Sequence, residues 1–476
     1  MKNHEPNPGA NKSILAVTYV LAGIFVCLLG YFGYFLQVKS ETVINNSYNA
    51  RLDSFSDRIL RGKILSSDGR VLAETVVGED GTETRSYPYG ALFAHVVGYS
   101  DHGKTGIESL ANFYLLSSHV NLVERTVNEL SDVKNVGDNV VTTLDPDLQQ
   151  AASDALGDRK GAVVVMEPDT GKILAMVSRP GYDPNHLGEE WESLISGDNT
   201  QAQLLNRATQ GVYPPGSTFK IVTALEYMRE NPDTWREFSF DCDGSYEYGD
   251  YTISCYHGSA HGHQNLEQAF ANSCNGAFAS LGLKLDLKGM RDMTGRLLFN
   301  RELPLALAYS KSSYAMGEGA SDWERLQTAI GQGNTQITPM HSAMITSAIA
   351  NGGILMRPYV IDRVENAAGE ETKKFLPSSS GELLSPAEAE TMAGMMRQVV
   401  TEGTASALRT DAYAAAGKTG SAEFETGKES HAWFTGFAPA EDPKLVVTVL
   451  VEEAGSGGRE AAPIARTLFD LYFSKQ

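Results

Sequence analysis

From Ser13 to Val38 the chain carries no charge and is crowded with Leu, Val, Ile, Phe and Tyr. These 26 residues exceed the roughly 20 that a helix needs to cross a bilayer. In lipid such a run has one stable solution, a helix that satisfies its own backbone hydrogen bonds. The chain therefore divides into a tail (1–12), a span (13–38) and a large remainder that folds on one side of the membrane. Lys2 and Lys12 precede the span, which predicts a cytoplasmic tail and an extracytoplasmic remainder. A cleaved signal peptide would want a shorter apolar core and a small-x-small site, and Gln37-Val38-Lys39-Ser40 offers none. Cys27 follows Ile24, Phe25 and Val26, where a lipoprotein needs a small residue, so it reads as an apolar filler.

The whole chain has 476 residues, too many for one small core, so two or more domains are expected. A net charge of −20 argues against a nucleic-acid partner, which would want a basic face. Residues 39–144 read as a small mixed module. Arg61 to Leu65 and Arg70 to Ala73 form two strands around an Asp68-Gly69 turn. Asn139 to Leu144 alternates like a strand. Asp145 then caps a helix with Pro146 at its first position, and a module boundary falls between 144 and 145.

Residues 145–476 open with a hairpin, Gly161–Glu167 and Lys172–Ser178 around Pro168-Asp169-Thr170-Gly171. A helical middle comes next, including Leu266 to Leu283 and Ala343 to Ala350. Strand character returns at Ala414–Glu423, Ala432–Phe437 and Lys444–Glu452, and Ala462-Pro463 opens a closing helix. Strands first and last with helices between predict an α+β domain whose sheet is assembled from both ends.

Three short strings in this second module carry chemistry: Ser217-Thr218-Phe219-Lys220, Ser273-Cys274-Asn275 and Lys418-Thr419-Gly420. Pro214-Pro215-Gly216 breaks the chain before Ser217, which puts that serine at a helix N-terminus, where free N–H groups favour developing negative charge. Lys220, three residues on, shares its face. A serine is a weak nucleophile until a base takes its proton, and a lysine kept neutral by burial can do so. Ser273 and Asn275 interrupt a helical stretch and can present a hydroxyl and an amide to a cleft. Lys418, Thr419 and Ser421 can receive a carboxylate, and Gly420 lets another strand lie close. The N–H groups of Ser217 and Ser421 supply an oxyanion hole. Each string is common by itself; their order and settings make them one site.

Three extracytoplasmic cysteines remain. Cys242 and Cys255 lie near His257, His261 and His263 in a polar, Gly-rich, loop-like stretch. Free thiols, a Cys242–Cys255 disulfide and a structural zinc are all open, and the spacing matches no standard zinc motif. Cys274 is expected to point into the fold. Any metal or bridge here is expected to be structural rather than catalytic.

The chain resembles the class B, monofunctional penicillin-binding proteins, on Tyr213 to Lys220, Gly161 to Ser178, Ile330-Gly331-Gln332-Gly333, Thr338-Pro339, Ala350 to Gly353, Gly417 to Glu423 and His431 to Phe437. Arg61-Gly62 and Asp68-Gly69 resemble the family's pedestal signature, with Ser66-Ser67 where the family usually has Asp-Arg. The short pedestal is similar to the compact A-type branch, often linked to division. The resemblance implies a penicillin-binding, serine β-lactamase-like domain, an antiparallel sheet flanked by helices. It implies that Ser217 attacks the penultimate D-alanine of a stem pentapeptide, with Lys220, Ser273, Asn275 and Lys418 assisting. A neighbouring stem's amine then resolves the acyl-enzyme. It implies β-lactam binding, no cofactor or metal in the reaction, and a separate glycosyltransferase. A D,D-carboxypeptidase would use the same pocket. A membrane-bound penicillin sensor would want several spans and usually an H-E-x-x-H segment, which does not occur here. A β-lactamase would lack the span and pedestal.

Overall fold

The computed structural model describes residues 8–35, 57–131, 133–425 and 427–475. Lys2, the expected end of the span at 36–38 and the start of the first module at 39–56 lie outside these residues. Pro8–Tyr34 is one helix, and Ile14–Tyr34 within it is long and apolar enough to cross a membrane. Its large apolar side chains are exposed throughout, as a lipid-facing helix requires.

Beyond this helix the fold is organised by two large sheets, of five and six strands. The five-stranded sheet runs in the order Ala416–Ala422, His431–Ala438, Leu445–Val451, Gly161–Met166, Ile173–Arg179, antiparallel throughout. The last and first strands of the domain thus meet in its middle, as the sequence pattern predicts. Leu445–Val451 and Gly161–Met166 are buried on both faces, which explains their unbroken apolar runs. The expected turn joins the first hairpin. Gly171 takes φ +81° there, and a Cβ would stand 2.5 Å from the Arg357 carbonyl oxygen. Helices cover both faces. Pro339–Ala350 packs on one, tied to it by a buried run of hydroxyls, Thr346 to Thr435 at 2.6 Å and Thr435 to Thr448 at 2.7 Å. Ala462–Ser474 packs with Pro146–Leu156 on the other. Asp145 caps Pro146–Leu156 by accepting from the N–H groups of Asp147 and Leu148.

The six-stranded sheet draws strands from both modules. Its strands from the first module are Ile64–Leu65, Val71–Val77, Glu83–Ser86 and Asn139–Thr142. Ile361–Glu365 and Glu371–Lys374, far inside the second module, extend its edge, with Ile361 opposite Thr142. The boundary at 144/145 is therefore crossed by a returning hairpin. Ser66 and Ser67 close the Asp68-Gly69 turn. The Ser66 hydroxyl donates to Asp68 Oδ1 at 2.5 Å, and the Ser67 N–H donates to the Leu144 carbonyl at 2.9 Å. Glu108 is buried under this sheet between Arg61 and Arg85, which donates to it at 2.7 Å.

Candidate active site

Gly216–Phe219 is a single tight turn leading into the helix Lys220–Glu230. The sharp entry rests on glycines. Gly216 has φ +53° and Gly331 φ +78°; the Gly216 N–H donates to the Gly331 carbonyl at 2.9 Å, and a Cβ on Gly331 would stand 1.9 Å from the Gly216 oxygen. Trp433 Nε1 donates to the Pro214 carbonyl at 3.0 Å, and the Thr218 hydroxyl to the Pro215 carbonyl at 2.7 Å. These bonds tie the turn internally and to the strand His431–Ala438, and it packs on the edge strand Ala416–Ala422. Gly420 sits beneath it, where a Cβ would be 3.2 Å from the Pro215 oxygen. The close approach expected at Gly420 is thus partly an approach of the protein's own backbone.

The helical stretch from Leu266 to Leu283 is interrupted where the sequence predicts, giving two helices, Leu266–Ala271 and Asn275–Lys284. The break is Ser273, in the left-handed region at φ +56°, unusual for a residue with a Cβ. Cys274 caps the second helix, accepting from the Ala277 N–H through its sulfur. This turn aims three oxygens at Lys220. Its Nζ lies 2.6 Å from the Ser273 carbonyl, 2.7 Å from Asn275 Oδ1 and 3.3 Å from the Ser273 hydroxyl.

Lys220 is fully buried, and burial depresses its ammonium from 10.5 to about 7. A neutral amine has two N–H donors, which the Ser273 carbonyl and Asn275 can take. Its lone pair is then left to accept a proton. Lys418 is also fully buried and held well below its ordinary value, by burial first and by Lys220 second. Its Nζ donates to the Ser273 hydroxyl at 2.9 Å and to the Thr419 carbonyl at 2.9 Å. Both amines therefore converge on one hydroxyl.

Ser217, Ser273, Asn275, Thr419, Gly420 and Ser421 line a single cleft of about 1660 Å³. Lys220 and Lys418 lie beneath its floor. Lys418, expected to meet a carboxylate together with Thr419 and Ser421, turns its amine inward to Ser273 and Thr419, while Thr419 and Ser421 line the cleft. Thr404, which belongs to none of the three strings, shares a hydrogen bond of 2.5 Å with Thr419 and lines the same wall. Only the chain's return to this edge brings it there, so no local signal marks it.

The stretch 241–263 is not loop-like. Ser239–Cys242 pairs with Gly262–Asn265, and Ser245–Tyr248 with Tyr251–Ser254. The expected Cys/His group is also corrected. His257 packs against Tyr256, and His263 pairs with Asp241 at 2.8 Å on the surface. Cys242, Cys255 and His261 do converge, and Cys274 is the fourth member. Cys242 and Cys255 are separate thiols 3.7 Å apart rather than a disulfide. The Cys255 thiol is held well below its usual value, chiefly by the hydrogen bond from Cys274, whose own thiol is pushed up by the same contact.

Comparison with known proteins agrees with this arrangement. Residues 161–470 match the penicillin binding protein transpeptidase domain, and residues 61–140 match the penicillin binding protein A dimerisation domain. A peptidoglycan D,D-transpeptidase PbpA of Mycolicibacterium smegmatis is 35% identical over 87% of this chain and 89% of its own. The PbpA of Mycobacterium tuberculosis is 32% identical over 97% and 98%. Among solved structures, the D,D-transpeptidase domain of a peptidoglycan glycosyltransferase from Eggerthella lenta superposes with a TM-score of 0.79 at 35% identity, over 88% of this chain and 99% of that one. Penicillin-binding protein A of M. tuberculosis, as a ceftriaxone acyl-enzyme complex, gives 0.79 at 32% identity, over 88% and 99%.

Proposed function

Since the chain belongs to the class B penicillin-binding proteins, we propose that it is a peptidoglycan D,D-transpeptidase that works through a serine acyl-enzyme on Ser217. The observation that carries this reading is a cleft-lining serine set one turn before a buried lysine whose ammonium burial depresses to about 7. Lys220 accepts the Ser217 proton as the hydroxyl attacks the carbonyl of the penultimate D-alanine. The N–H groups of Ser217 and Ser421 receive the oxyanion, a device worth about 10²–10³ in rate per donor. Ser273, between the two amines, passes the proton to the leaving D-alanine and later takes one from the acceptor amine of a neighbouring stem. Asn275 serves Lys220 through Oδ1, and its Nδ2 is held by the Ser254 carbonyl at 2.9 Å. Thr419 and Ser421 bind the terminal carboxylate, with Lys418 supporting them from below. β-Lactams react as mimics of the same terminus.

The apolar helix supports a single-pass anchor, and Lys2 and Lys12 before it favour a cytoplasmic tail with the catalytic domain outside. This topology and the fold suit a separate glycosyltransferase as partner. A division-linked role is inferred from the compact first module: the chain spans 89–98% of the PbpA relatives but only 66–70% of two MrdA relatives. Mass spectrometry of products from lipid-linked pentapeptide strands tests the reaction. Cross-linked dimers that vanish in Ser217→Ala are expected; trimming to tetrapeptides with no dimer would instead make the protein a carboxypeptidase.

A further inference from the structure

The Cys/His cluster found at the wall of the cleft has the dimensions of a coordination sphere. Sulfur to sulfur, Cys242 to Cys255 is 3.7 Å and Cys255 to Cys274 is 3.8 Å; Cys242 Sγ to His261 Nδ1 is 3.4 Å. All four atoms lie within 4.8 Å of one another. Tetrahedral zinc with Zn–S of about 2.3 Å and Zn–N of about 2.0 Å sets its ligands about 3.5–3.8 Å apart. The three sulfurs are buried, and His261 is half-buried at the cleft side. The local fold also calls for a cross-link. Each hairpin here has strands of four residues, and isolated two-stranded hairpins are at best marginal in water. Cys242 ends one strand, Cys255 comes directly after another, and His261 precedes a third, whereas Cys274 comes from the turn between the two helices.

We propose that Cys242, Cys255, His261 and Cys274 form a closed Cys₃His zinc site that clamps the double hairpin to the Ser273 turn and so positions that turn. Thiolate and imidazole donors in a four-coordinate shell suit zinc among common divalent ions. Binding takes the three sulfurs as thiolates and releases whatever protons they still carry, with no change of oxidation state. With every position filled by protein, the ion has no place for a substrate. Its effect passes through Cys274, which stands between Ser273 and Asn275 and caps the helix Asn275–Lys284. Ser273 has a strained backbone, and such a conformation persists only where its surroundings over-determine it. A metal bond to the adjacent residue does this. Cys274 is thus a positioning residue, and a metal here is structural in kind yet coupled to the catalytic turn.

The test uses the full-length protein in detergent, purified without chelator or added metal. Mass-spectrometric elemental analysis should find about one zinc per chain, and X-ray absorption at the zinc edge should find three sulfurs at about 2.3 Å and one nitrogen at about 2.0 Å. Cys242→Ser and Cys274→Ser should each lose most of the zinc, while His257→Ala and His263→Ala keep it. Metal-free wild-type protein, a zinc shell of oxygen and nitrogen only, or a Cys242–Cys255 disulfide in alkylated peptides would each overturn the site, and the wild-type spectrum decides even if the variants fail to fold. Stripping zinc with a chelator should slow the saturating rate of penicillin acylation at least tenfold, leave the affinity of the pre-covalent complex unchanged, and be reversed by Co²⁺ or Zn²⁺. An unchanged rate in fully stripped protein would overturn the positioning role. Metal content is read without any reaction, so it stands or falls separately from the transpeptidase reading.

Discussion

The sheet of the first module and the cleft of the second each bury two cationic side chains, with opposite results. In the sheet, Arg61 and Arg85 close on the carboxylate of Glu108, which is fully buried. Burial alone would raise that carboxyl, but the two guanidiniums hold it below its ordinary value. In the cleft, Lys220 and Lys418 meet a hydroxyl, carbonyls and an amide oxygen, and among the described residues neither has an acidic partner. The arginines stay charged and hold strands together. The lysines, left with dipoles only, give up protons easily. The lesson is that burial makes a base only where the neutralising carboxylate is withheld, and that a lysine rather than an arginine is needed to respond.

The largest way to probe this contrast is Ser217→Ala. It should abolish covalent labelling by a fluorescent penicillin with the melting temperature unchanged, since the hydroxyl alone carries the bond. Stoichiometric labelling of the variant would refute the nucleophile. Lys220→Ala should come next, with acylation slowed about 10²–10⁴-fold; a wild-type rate in stopped-flow acylation would break the cleft half of the comparison. Glu108→Gln tests the other half. It leaves two buried guanidiniums uncompensated, so chemical denaturation should show a loss of about 3–5 kcal/mol, with the acylation rate of the folded protein unaltered. An unchanged denaturation midpoint would mean that the ion pair does not hold this sheet.

Lys418→Ala should cost about 10–100-fold, from the loss of its hydrogen bond to Ser273 and of its support beneath Thr419. Most of that loss should lie in the affinity for carboxylate-bearing β-lactams; a loss confined to the acylation step would assign Lys418 to proton transfer instead. The smallest effect is a pH profile. Lys220 must be neutral to act, and its value is lowered to about 7. Acylation should therefore plateau above that pH and fall about tenfold per unit below it. A profile flat from pH 5 to 9 would sever the link between Lys220 burial and catalysis.

Whatever a local pattern can carry is legible along the chain. An uncharged, strongly apolar run of 26 residues has the length and composition to cross a membrane as a helix. Pro168-Asp169-Thr170-Gly171 between two apolar runs makes a hairpin, because the turn needs the φ that Gly171 supplies. Pro214-Pro215-Gly216 stops the chain before Ser217 and frees its helix end. The three catalytic strings are legible because each keeps its chemistry within four residues. Other features exist only once distant residues meet. The return of 361–374 to the edge of the first module's sheet, Thr404 against Thr419 and Cys274 beside Cys242, Cys255 and His261 are of this kind. Spacing alone groups His257 and His263 with the cysteines, but His257 stands on the exposed turn Tyr256–Gly258 and alternation along Gly262–Asn265 leaves His263 on the exposed face. The inward aim of Lys418 and the low proton affinity of Lys220 are likewise products of the tertiary structure. Desolvation is a sum over every neighbour packed around a group, and those neighbours come from segments that the sequence order keeps far apart.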